Sequence, residues 1–138
     1  MPARATGPFD VKVTPQPADE YADGATLGRL TLDKSFHGDL EATSRGQMLT
    51  GMSSVKGSAG YVAIERVTGT LGGKRGSFIL QHTGTMDRGT PQLVITVVPD
   101  SGTEELAGLR GTMTIDVAAG GAHSYVLEYT LGDDTTRT

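Results

Sequence analysis

From residue 9 onward, apolar side chains recur at every second position in short runs separated by turn residues, the period of strands with one face toward a core. Phe9, Val11 and Val13 alternate with Asp10, Lys12 and Thr14. Leu30, Leu32 and Phe36 share a face against Arg29, Thr31 and Asp33, and His37-Gly38-Asp39 turns the chain into a run over 40–52. Further runs fall at 61–70, 76–86, 92–98, 112–117 and 123–131, the last aligning His123, Tyr125, Leu127, Tyr129 and Leu131. Residues 16–25, with Pro17 and Asp/Gly positions, read as a loop, as do 53–58. The run 92–98 is continuously apolar, as for a strand buried on both faces, and Pro91 fits only at its start. Ser101 followed three residues later by Glu104 matches a capping box, so one or two helical turns are expected before Gly108.

Eight such strands, mostly joined as hairpins, are best satisfied by closing the sheet, because closure removes the edges that template aggregation. The expected fold is all-β, an eight-stranded antiparallel barrel with one short helical turn; a two-sheet sandwich is the alternative. An eight-stranded barrel has room inside for side chains or one small ligand. The 138 residues form one domain with a core over about 7–131, flanked by flexible N-terminal residues and a mobile tail at 132–138. Apolar outer faces would suit a homo-oligomer.

Composition agrees and excludes several functions. Twenty glycines suit tight turns, and there is no Trp. Twelve basic and sixteen acidic residues are interspersed, for a net charge of −4, which argues against nucleic acid as a partner. Without cysteine there is no disulfide, thiolate metal site or cysteine nucleophile. No apolar segment resembles a signal peptide or membrane span, so a cytoplasmic protein that does not engage a membrane is expected. Arg outnumbers Lys eight to four and Asn is absent, a bias of GC-rich bacterial genomes.

Residues 61–84, YVAIERVTGTLGGKRGSFILQHTG, hold the chemistry. If the hairpin turn lies at Gly73-Lys74, Glu65 falls directly opposite His82 on a face shared with Tyr61, Ala63, Val67, Phe78 and Leu80. A shift by one residue sets Glu65 against Gln81 instead. The first register is preferred because it gathers the apolar residues. On an interior face, desolvation would raise the Glu65 pKa while pairing with His82 would favour the ion pair, so the two are candidate catalytic groups or a mutually satisfied structural pair. Tyr61, Gln81, Glu41 and Tyr129 are candidate ligand-binding residues, although core packing also explains the tyrosines.

The segment GTLGGKR is one residue short of a phosphate loop, lacks Ser/Thr after Lys74, and precedes a strand. His37, His82 and His123 have no ligand spacing, so neither a metal nor another cofactor is expected. The order GDLEATSRG, the segment 61–84, and then VVPDSGTEELAGLRG resembles the DUF3224 family of uncharacterised bacterial proteins, over roughly 7–131. That family's barrel is similar to plant allene oxide cyclase, and the resemblance implies an apolar cavity for a reactive or flexible small molecule. Binding of a small apolar molecule is the leading expectation and a cofactor-independent cyclase or isomerase the alternative. A barrel filled by its own side chains remains the structural possibility.

Overall fold

The structure, a computed structural model, describes residues 3–16 and 26–132. Eight strands, β1 (Ala3–Gln16), β2 (Thr26–Phe36), β3 (Leu40–Met52), β4 (Ala59–Leu71), β5 (Lys74–Asp87), β6 (Thr90–Val97), β7 (Leu109–Val117) and β8 (His123–Leu131), follow one another around a closed antiparallel barrel. β1 begins earlier than the alternation from Phe9 implied, because Ala3 through Phe9 pair with Tyr129 through His123 and close the barrel. Much of the expected loop at 16–25 and nearly all of the tail lie outside the described residues. No helix among the described residues is long and apolar enough to cross a membrane.

The inner side chains are those that the two-residue period selects: Phe9, Leu32, Phe36, Leu40, Val67, Leu71, Phe78, Leu80 and Leu127 are all buried. Each such side chain stabilises the fold by about 1.5–3 kcal/mol relative to exposure. The run at 92–98 differs from expectation: in β6 only Ile95 and Val97 are buried, and Val94 is 52% exposed. A barrel strand has one outer face, and no second layer covers it among the described residues. Other apolar side chains outside, Leu49, Val62 and Ile64, are exposed for the same reason.

One end of the barrel is sealed. The Tyr125 hydroxyl donates to the His37 carbonyl at 2.7 Å and accepts from the Leu40 amide at 2.9 Å, pinning β8 to the β2–β3 turn. Leu106, on a single 3₁₀ turn at Glu104–Leu106, plugs the same end. The expected capping box does not form. The Ser101 hydroxyl accepts from the Ile79 amide at 3.0 Å, and Thr103, which precedes the turn, bonds Ser77 through both backbone and hydroxyl. The segment after β6 is thus held by β5, and the hydroxyls satisfy amides that would otherwise lack partners.

Candidate functional site

The β4–β5 hairpin turns at Gly72-Gly73, both at positive φ (57° and 84°), as a two-residue turn matching the strand twist requires. Glu65 therefore pairs with Leu80 and Ala63 with His82, while Ile64 pairs with Gln81. Neither expected pairing of Glu65 is the observed one. The preferred register had placed the turn one residue late, which shifts the partner by two positions and keeps the face. Glu65 and His82 both point inward, and Gln81 is exposed on the outer wall.

Inside the barrel they meet two residues not singled out above. Lys34 Nζ donates to Glu65 Oε2 at 2.8 Å, the Ser44 hydroxyl donates to Oε1 at 2.5 Å, and His82 Nε2 lies 2.5 Å from Oε2. Lys34, Ser44, Glu65 and His82 are all buried, with Glu65 at 0% exposure, so water cannot stand in for any of them. Lys34 faces Ser44 across β2–β3, Gly46 faces Glu65 across β3–β4, and Ala63 faces His82 across β4–β5. The four groups thus step diagonally across four strands, as side chains at one height must when barrel strands tilt. Gly46 makes the geometry possible: a Cβ there would lie 2.6 Å from that of Glu65. The Lys34 ammonium also lies 5.4 Å from the Phe9 ring centroid and 5.8 Å from that of Phe36, within cation–π range.

Burial alone would raise the Glu65 carboxyl, but the hydrogen bond from His82, the charge and hydrogen bond of Lys34, and the Ser44 hydroxyl outweigh it and bring it down to about 2. An ionised carboxylate has no proton to give, so His82 Nε2 is the donor. No buried side-chain nitrogen or oxygen among the described residues lacks a partner. The network is closed on itself.

At the other end of the barrel the inner wall opens into a cavity of about 500 Å³. Leu30, Met48, Met52, Ala59, Tyr61, Met86 and Leu93 contribute to a wall that contains no charged side chain among the described residues. The Tyr61 ring forms part of this wall over Gly84, where a Cβ would lie 2.9 Å from its Cδ1. It also lies 6.4 Å from the His82 ring, between centroids, so it joins the cavity to the ion network. Desolvation, with the Glu65 charge second, raises the Tyr61 pKa and keeps its phenol neutral.

Of the residues singled out from sequence, Tyr61, Glu65 and His82 come together. Glu41 is exposed by the β2–β3 turn, where its carboxylate accepts from the Gly38 amide at 2.9 Å and pairs with His37 at 3.4 Å. The Gly38 bond is the main cause of its lowered pKa; desolvation opposes it, and the hydrogen bond and charge of His37 add to it. Tyr129 packs against the core near the sealed end, its hydroxyl beside Gly72. Lys34 and Ser44 had one signal in sequence: each occupies an inward position, between Leu32 and Phe36 and between Ala42 and Gly46. Among the described residues no group of three or more His, Asp or Glu side chains could hold a metal ion.

The molecule is therefore of a definite class, a single antiparallel barrel sealed at one end, with an internal ion network and an apolar cavity at the other end. The chain belongs to the DUF3224 family, described as a protein of unknown function, whose model matches residues 5–129. It is similar to a crystal structure of a protein with unknown function from the DUF3224 family of Shewanella oneidensis MR-1. The two share 50% identity with a TM-score of 0.91, over 96% of this chain and 99% of that one. No curated protein matches the chain.

Proposed function

We propose that this protein binds a small apolar molecule in the cavity at the open end of its barrel. The observation that carries the reading is the wall: about 500 Å³ bounded mainly by aliphatic, aromatic and thioether groups, with Thr50, Thr85 and Gln92 as its polar side chains and no charged one among the described residues. That volume lies in the range of small-molecule sites, and water in such a space gives way to apolar groups at a gain. Three methionines in the wall, Met48, Met52 and Met86, supply side chains that adapt to a ligand's shape. The ion network supports this reading as a scaffold, since its donors and acceptors are engaged with one another and hold β2 to β5 together beneath the cavity.

Titration with the neutral fluorophore N-phenyl-1-naphthylamine tests it. Saturable one-to-one enhancement is expected, abolished by Ala59→Phe and Leu93→Trp, which fill the cavity, and retained by Ile64→Ser on the outer wall. Absence of binding in the native protein, or binding indifferent to both filling substitutions, refutes the reading.

A cofactor-independent cyclase or isomerase is the second reading, favoured by the contact of the Tyr61 ring with His82. Through it the charge of the network would act on a substrate bound against Tyr61. Glu65→Gln and His82→Ala then abolish turnover of a substrate while the fold persists, and retained turnover in both removes them from the chemistry.

A further inference from the structure

We infer that the ligand is a monopolar amphiphile, a hydrocarbon body of about ten carbons uninterrupted by polar atoms and ending in one polar group, which enters hydrocarbon end first. The inference rests on the binding reading above and adds the class and orientation of the ligand. Size comes from the wall. Met48 and Met52, both lining the cavity, are four residues apart on β3. That is about 13 Å along a strand and, at a tilt of about 40°, roughly 10 Å of depth. A volume of about 500 Å³, at about 30 Å³ for each water-sized unit, admits at most about seventeen heavy atoms.

Orientation comes from where polarity lies. The deep wall is formed by Leu30, Met48 and the ring of Tyr61, and the charged groups of the network beneath are buried and already satisfied. A polar atom at the bottom would therefore lose its hydration without replacement. Among the described lining residues polar side chains are few: the Thr50 hydroxyl lies over Gly28 at the level of Tyr61, and toward the rim Thr85 and Gln92 line the cavity where the 53–58 loop meets the β5–β6 turn. That contact is fixed by the Gly89 amide on the Gly57 carbonyl at 2.9 Å and the Arg88 amide on the Ser58 hydroxyl at 3.0 Å. A head group left at the rim keeps water and these neighbours.

The experiment is competition against bound N-phenyl-1-naphthylamine by 1-hexanol, 1-octanol, 1-decanol and 1-dodecanol, with 1,10-decanediol as the orientation control. Affinity is expected to rise about fourfold per added methylene and to level off between about eight and twelve carbons. The diol, which must bury a hydroxyl or withdraw its chain, is expected to compete at least about tenfold more weakly than 1-decanol. In Leu27→Val, on the outer face of β2 and outside the cavity wall, the plateau stays; in Ala59→Leu, which shortens the cavity, it comes about two carbons earlier. A diol equal to the alcohol overturns the orientation. Affinity that climbs through dodecanol without levelling, or a plateau that Ala59→Leu does not move, overturns the assignment of size. Dye that binds but is not displaced by any alcohol overturns the ligand class while the binding reading stands; dye that does not bind overturns both.

Discussion

Replacing Glu65 by Gln keeps the shape of the side chain and removes the charge on which the internal network converges. At neutral pH the Lys34 ammonium, 2.8 Å from the carboxylate in the native protein, is left buried without a counter-charge. Breaking a buried pair from one side costs about 3–5 kcal/mol. The pH dependence carries a second, sharper signature. The carboxyl lies at about 2 in the folded protein against 4.5 for the free group. At about 1.4 kcal/mol per unit this corresponds to roughly 3 kcal/mol of stability. Because the folded pKa is depressed, that stability is fully present above the unfolded value near 4.5 and is lost as pH falls from there toward 2. Native protein and Glu65→Gln should therefore differ most at pH 6–7 and converge by about 3 kcal/mol as pH falls to 2. Urea unfolding followed by circular dichroism at pH 7, 5, 3.5 and 2.5 measures the difference and cancels the contribution of the other carboxylates. A Lys34→Met/Glu65→Gln variant removes the stranded charge as well and should recover part of the loss. Parallel pH profiles for native protein and Glu65→Gln would refute the ionised network, as would equal stability at pH 7.

Other substitutions probe the supports. Gly46→Ala drives a methyl against the Ile64 carbonyl and to 2.6 Å from the Glu65 Cβ; strand backbone cannot yield cheaply, so a loss of about 2 kcal/mol or more is expected in thermal unfolding. Tyr125→Phe removes the hydroxyl shared by the His37 carbonyl and the Leu40 amide and should cost about 1–3 kcal/mol, with hydrogen exchange at Leu40 rising first. Leu127→Ala, at a position with 0% exposure, should destabilise by about 2–5 kcal/mol through the cavity it leaves. Filling the open end with Ala59→Phe should leave urea stability within about 1 kcal/mol of native while abolishing dye binding, because a partly exposed position adapts more readily than a closed core.

Much of the fold was legible because the two-residue period of a barrel strand survives errors of register. Placing the hairpin turn at Gly73-Lys74 instead of Gly72-Gly73 misassigned the partner of Glu65 yet kept Glu65 and His82 on the inner face. A turn needing positive φ at both central residues favours the Gly-Gly pair, and that chemistry was available in the sequence. The meeting of Glu65 with Lys34 and Ser44 was harder to read. Side chains inside a tilted barrel meet along its circumference, whereas directly opposite residues are set by the ladder; Lys34 lies 31 residues from Glu65 and on another strand pair. Lys34 also carries the character of a surface residue, although its position between Leu32 and Phe36 marks the inner face. β6 misled in the opposite sense, since its apolar run has an outer side on which no described residue packs. The cavity was not readable from any one segment, because its wall joins β2, β3, β4, β5 and β6 at a single end.

The cavity can be observed through its own methionines. Met48, Met52 and Met86 line it, whereas Met113 is buried in the core and is not part of its wall. With methyl-¹³C methionine in the protein, titration with 1-decanol should shift the Met48, Met52 and Met86 resonances along one saturable isotherm and leave Met113 in place. Three unmoved cavity methyls at saturating ligand, or a shift confined to other sites, would contradict the account.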